Sequence, residues 1–193
     1  MKPSSRPGRR RPPNRKKADD YRAEAFDLYF TEEVPADEAK LREALIKAKR
    51  SVLLDPGYEN LTMIASILGE YDDAESNRRA VEYCDRAITL EPGNPDAYAS
   101  KASLLSRIPG RLPEAEQAAR TSIALSLVQN DSIDTIELEF SSLVDILIDQ
   151  RKYTTARAAI RLALRHSQSE FLRSLLKQAS QRIKQETRPS ERA

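Results

Sequence analysis

The chain has one histidine, one cysteine, no tryptophan and only five glycines in 193 residues. Each shortage excludes a kind of chemistry. With His166 alone, the paired-histidine zinc motif H-E-x-x-H cannot be built. With Cys84 alone, neither a cysteine-held metal cluster nor an internal disulfide can form, and a reducing compartment is the simple reading. The glycines make no phosphate-cradling loop of the G-x-G-x-x-G or G-x-x-x-x-G-K type. A catalytic nucleophile needs a base beside it, and the inventory offers few pairs. The sequence therefore predicts a protein that is not an enzyme and carries no cofactor and no metal. Long apolar runs are missing too: none approaches the roughly 18 residues that cross a bilayer, and the Arg-rich start lacks the apolar stretch of a secretory signal. A soluble, cytoplasmic chain without a membrane partner is expected.

Charge is abundant and unevenly placed. Residues 1–17 carry eight Lys or Arg and no Asp or Glu, residues 18–150 are strongly acidic, and residues 151–186 are basic again. The formal net charge of +2 thus conceals an acidic body between two basic ends. Such separation is informative about partners and not about fold. Residues 1–17 have no apolar side chain after Met1 and four prolines, so they are expected to form a disordered basic tail. From Ala18 the pattern becomes helical, with no convincing alternation of period two, and the body is expected to be all-α.

Internal repetition organises that body. Leu54-Asp55-Pro56-Gly57 returns as Leu90-Glu91-Pro92-Gly93, each time closing an apolar helix. Small residues return with it: Ala44, Ala48 and Ser51 before Pro56, and Ala80, Cys84 and Ala87 before Pro92. Cys84 is accordingly expected to be inert core. His166, following Arg165 at a helix end, is expected to favour the last carbonyls.

The spacing resembles the tetratricopeptide repeat, whose first helix reads W-x2-L-G-x2-Y and whose second reads A-x3-F. The fullest copy is Phe140, Leu143, Val144, Leu147, then Ala156, Ile160 and Ala163. A second runs Leu61, Ile64, Ala65, Leu68 and resumes at Ala80 after the acidic turn Glu70 to Glu75. A third runs Tyr98, Lys101, Ala102, Leu105, then Ala115, Ala119 and Ser122, with Lys101 where Leu is expected. The first, Tyr21, Glu24, Ala25, Leu28 and then Ala44 beyond a turn through Val34, Pro35 and Ala36, is the most degenerate. The resemblance implies a right-handed helical solenoid of about four helix pairs in a domain over residues 18–168. A C-terminal capping helix over 169–186 is expected to bury Phe171, Leu172, Leu175, Leu176, Ala179 and Ile183, and to turn Arg173, Lys177, Arg182 and Lys184 outward. Residues 187–193 are read as a second disordered tail.

In that family the first helices of successive repeats line a concave groove that receives a peptide or helix, which implies an adaptor or scaffold for a protein partner. Carried onto this chain, the groove stripe holds Ser141, Asp145 and Asp149 in the fourth copy and Glu59, Thr62, Ser66 and Glu70 in the second, with Arg22, Phe26 and Phe30 as an anchor at one end. A polar or basic partner segment fits such a surface. The Lys, Arg and Asn residues with which some members grip a chaperone's terminal carboxylate are missing. Arg157, Arg161 and Arg165 lie four apart, an arrangement that costs a few tenths of a kcal/mol per step on a helix; neighbouring carboxylates, solvent or a phosphate-bearing ligand each offer compensation. Arg9, Arg10, Arg11, Lys16 and Lys17 fit a solubilising tail, a phosphate-contacting one, or a nuclear address. The tail is also long enough to reach the acidic groove of its own or a neighbouring molecule, giving self-association. An alternative function follows from these ends: a nucleic-acid- or ribosome-associated protein.

Overall fold

The computed structural model describes residues 14–30, 37–71, 73–167 and 169–187, apart from the side chains of Phe171, Leu172 and Leu175. Every regular element among the described residues is a helix: α1 (Arg15–Tyr29), α2 (Glu38–Leu54), α3 (Tyr58–Gly69), α4 (Ala74–Leu90), α5 (Pro95–Ser106), α6 (Leu112–Gln129), α7 (Ile133–Asp149), α8 (Tyr153–His166) and α9 (Glu170–Glu186). Among these residues no helix is long and apolar enough to cross a membrane.

Local chemistry sets the boundaries. Asp37, Asp73, Asn94 and Ser132 each accept a backbone N–H of the following first turn, and Pro95 and Pro113 stand where a helix needs no donor. The two repeated Pro-Gly turns close their helices identically, Asp55 N–H donating to Ser51 O and Glu91 N–H to Ala87 O, both at 2.9 Å. After α7, Arg151 adopts a left-handed φ of 58°, its N–H reaching Ile148 O while that of Lys152 reaches Leu147 O. This is a Schellman closure with arginine where glycine is cheaper.

Each helix packs on its chain neighbours, and odd-numbered helices also touch the next odd one: α1 on α3, α3 on α5, α5 on α7 and α7 on α9. No two even-numbered helices make such contacts among the described residues. The odd helices therefore form an inner layer and the even ones an outer layer of a helical-repeat architecture. Small residues make the close approach feasible. Ala25, Ala65, Ala102 and Val144 on the inner helices, and Ala44, Ala80, Ala115 and Ala156 on the outer ones, are all buried. So are Ala48, Cys84, Ala119 and Ile160 one turn further on. The third recurring position of the outer helices is also buried: Ser51, Ala87, Ser122 and Ala163. Both serines there reach a backbone carbonyl of the preceding inner helix: Ser51 Oγ–H donates to Ala18 O at 2.7 Å, and Ser122 Oγ–H is shared between Pro95 O at 3.0 Å and Glu139. Ser51→Ala is expected to cost about 1 kcal/mol in urea unfolding, the net value of one buried hydrogen bond, because two of the four copies already hold alanine there.

Some expectations shift. Helix α1 begins at Arg15 and not at Ala18, because Asn14 O already accepts the Ala18 N–H and Ala18 is locked beneath Ser51. Lys16 and Lys17 are thus exposed residues of the first helical turn and not of a tail. Arg9, Arg10 and Arg11, the turn through Val34, Pro35 and Ala36, and residues 188–193 lie outside the described residues. Lys101, the misfit of the third copy, bridges to Asp85 on α4 at 2.5 Å, so an ion pair between adjacent helices replaces the expected Leu contact. Helix α9 buries Leu176 and Ile183 against α7 and α8, with Ala179 half-buried, whereas the Phe171, Leu172 and Leu175 side chains are not described. Arg182 does not face open solvent alone but meets Asp145 and Asp149 on α7.

Candidate partner-binding groove

The inner layer gathers the stripes of separate repeats into one surface. Between α1 and α3 runs a groove of about 470 Å³ walled by Arg22, Phe26 and Asp27 on one side and Glu59, Thr62 and Met63 on the other. Ser66 lies at its far end and also lines a second groove, of about 340 Å³, between α3 and α5, where Glu70 faces Ser103 and Arg107. The residues expected in the first and second copies are thus brought together.

Phe26 and Phe30 are 46% and 61% exposed, too open for two rings whose only task is core packing. Their centroids stand 4.2 Å apart, with Tyr29 edge-on to Phe30 at 4.6 Å. Around them the charge is mostly negative. Arg22 is held by Asp19 at 3.2 Å and by Glu59 at 2.6 Å across the groove, which fixes its guanidinium and leaves Asp27 without such a cation among the described residues. Tyr29 O–H donates to Glu70 at 3.0 Å. Burial, reinforced by the Glu70 carboxylate, pushes the Tyr29 phenol up to about 12, so it stays a donor throughout the physiological range.

The C-terminal end of the same face differs. Asp145 and Asp149 share a stripe with half-buried Ser141, yet α9 lies beside them: Arg182 bonds Asp149 and stands 3.5 Å from Asp145, while Glu186 holds its Nε at 3.2 Å. Partial desolvation raises the Asp145 pKa, with Arg182 opposing the rise and Asp149 adding to it. The open groove is therefore the α1–α3–α5 part, and the α7 part is occupied by the chain's own helix.

Elsewhere, Cys84 is fully buried and its thiol is pushed up to about 12, first by burial and then by Asp85, which suits inert core. His166 is the last residue of α8, and its ring stacks on Phe140 with centroids 6.1 Å apart. No group of three or more His, Cys, Asp or Glu that could hold a metal occurs among the described residues. Arg157, Arg161 and Arg165 are exposed on the outward side of α8.

No protein-family model matches the chain, and no curated protein matches it in sequence.

Two features escaped the sequence. The α5 contribution, Ala99, Ser100, Ser103 and Arg107, follows from aligning Leu61 with Tyr98 and carrying the α3 stripe forward one repeat. Buried acids on α7 were the other: Glu137 accepts from Ser167, and Glu139 from both Ser122 and Ser126. Spaced like solvated charges, they were recognisable only through Ser122 and Ser126, a hydroxyl pair one turn apart on an otherwise apolar face. Glu139 is 7% exposed, and its second oxygen, Oε2, meets no hydrogen-bond partner among the described residues. Burial raises its pKa, the two serines opposing. A carboxyl that binds its proton more tightly folded than unfolded contributes its full stability below the ordinary Glu value of about 4.3 and loses it as pH rises through the folded value. Glu139→Gln keeps an acceptor for both serines without the charge. Urea melts should show the variant more stable than the parent at pH 7 and equal to it near pH 4.

Proposed function

We propose that the chain is a non-catalytic adaptor of the tetratricopeptide kind. In this reading it is a right-handed solenoid of about four helix pairs closed by α9, working in the cytoplasm and binding a partner's peptide segment along the inner face of α1, α3 and α5. The exposed Phe26–Phe30 pair at the rim of an acid-lined groove carries the proposal. Burial of the recurring small residues in all four copies supports the family resemblance. The favoured ligand has an apolar side chain to set against Phe26 and Met63, with Lys or Arg beside it to face Asp19, Asp27 and Glu59. Cationic flanks speed encounter and fix register more than they add affinity, whereas the apolar anchor supplies the larger share of it.

Selection of phage-displayed random peptides on the full chain is the direct test. Enriched sequences should combine an apolar residue with neighbouring Lys or Arg, and Phe26→Ala should weaken them about 30-fold, the loss of one interface anchor. Since Phe26 is half exposed, its thermal melt should move little. Acidic consensus peptides, or peptides indifferent to Phe26→Ala, would overturn the proposal.

A further inference from the structure

Arginines elsewhere in the molecule are mostly engaged. Arg22, Arg42, Arg78, Arg111, Arg120 and Arg182 each pair with a carboxylate, and Arg50 and Arg86 lie over the rings of Tyr21 and Tyr83. Arg15, Arg79 and Arg151 are single exceptions among the described residues, and helix α8 gathers three on one stripe. Arg157, Arg161 and Arg165 are exposed one turn apart, and none has an ion pair among the described residues; the nearest thing is Arg161 Nε donating to Arg157 O at 3.3 Å. No Asp or Glu occurs from residue 150 to residue 169. On the two helices that pack on α8, Asp145 and Asp149 face Arg182, Glu186 holds Arg182 and Tyr153, Glu137 accepts from Ser167 and Glu139 from two serines, while the exposed Asp134 and Glu170 pair with none of the three arginines among the described residues. Of the three compensations open for this stripe, a carboxylate neighbour is the one the packing does not provide.

Repulsion along the stripe is relieved when an anion with matching spacing lies on it. Four helical residues advance about 6 Å and turn about 40° past a full circle, so the three arginines form an oblique row that rises about 12 Å along the helix. A planar guanidinium fork matches phosphate oxygens, and a nucleic-acid strand presents its phosphates in a row. The residues interleaved on that side, Thr154, Ala158 and Leu162, include no aromatic ring to stack on a base and no carboxylate to repel a phosphate. One half-exposed leucine gives little to insert into a lipid surface. We propose that the outward face of α8 is a contact surface for the phosphate backbone of a nucleic acid, bound without regard to base sequence and on the opposite layer from the peptide groove.

Binding of the full chain to a mixed-sequence 20-base-pair DNA duplex, measured by fluorescence anisotropy from 50 to 200 mM salt, tests this. Each phosphate contact adds about 0.9 to the slope of log affinity against log salt, so R157Q/R161Q/R165Q should make the slope shallower by about 2.7. Arg78→Gln, which removes a charge already paired with Glu75, should leave the slope as it is. A duplex of different sequence should give the parent slope and affinity. The proposal is overturned if the duplex does not bind, if the triple variant keeps the parent slope, or if Arg78→Gln lowers it as much per charge. Equal or tighter binding to poly-glutamate or to phosphatidylserine vesicles than to the duplex would also overturn it, by assigning the face to an acidic protein or a membrane.

Discussion

Phe140→Ala is expected to destabilise the protein by about 3–5 kcal/mol and to lower its melting temperature by roughly 10 °C. Phe140 is 1% exposed and belongs to the core cluster that α7 shares with its neighbours, and its ring also supports that of His166. Truncation leaves a cavity that Leu143, Val144 and Leu147 cannot close, since each is itself fixed in the same core on the same helix. The comparison with Phe26→Ala makes the measurement discriminating. Two phenylalanines of one sequence should respond oppositely, Phe140 in the melt with peptide binding lost only as the fold is lost, and Phe26 in peptide binding with the melt unmoved. Equal small effects in both melts would show that Phe140 is not a core residue.

Ile183→Ala should cost about 2–5 kcal/mol of the docking of α9, since the side chain is fully buried where α9 meets the last helix pair. Among the described residues helix α9 contacts only α7 and α8, so its loss is expected to be local. Limited proteolysis should cut between residues 167 and 187 while the remainder resists. The functional consequence is more telling. Release of Arg182 uncovers Asp145 and Asp149 and lengthens the acidic groove by one repeat. Cationic peptides selected on the parent should then bind the variant more tightly, and the gain should vanish at high salt, where exposed charges are screened. Unchanged cleavage and unchanged peptide affinity would mean that α9 is held by something other than Ile183.

How much of this was legible beforehand depended on whether a residue's neighbours lay within reach of the repeat. Proline, glycine and small residues at fixed spacing specify helix ends and close approaches locally, and the outer-helix positions from Ala44 to Ala163 were recoverable for that reason. The start of α1 was not, because three cations at a helix N-terminus are locally unfavourable and are tolerated only through the seating of Ala18 against Ser51. Lys101 looked like a defect until Asp85 came within 2.5 Å from the preceding helix. The groove's acidic lining could be predicted from the stripe, but not its partial occupation, since a helical wheel places Arg182 on a polar face without saying that the face meets Asp149. Buried Glu139 was hard to see for the same reason: its hydroxyl partners stand on another helix, and only their own spacing hinted at it.

Because helix contacts among the described residues run only between successive helices and between next-but-one inner helices, this part of the chain behaves energetically as a short one-dimensional lattice with two unequal ends. Helix α9 fastens one end. At the other, α1 rests on α2 and touches only α3 beyond it, with Phe26 and Phe30 left open to solvent. Opening should therefore begin at the ends and advance like a zipper, and amide exchange should be faster in α1 and α9 than in the helices between them. The helix that carries the anchor is then also a terminal rung. A ligand that bridges α1 to α3 acts as a clasp, and its affinity is set in part by how often that rung is already in place.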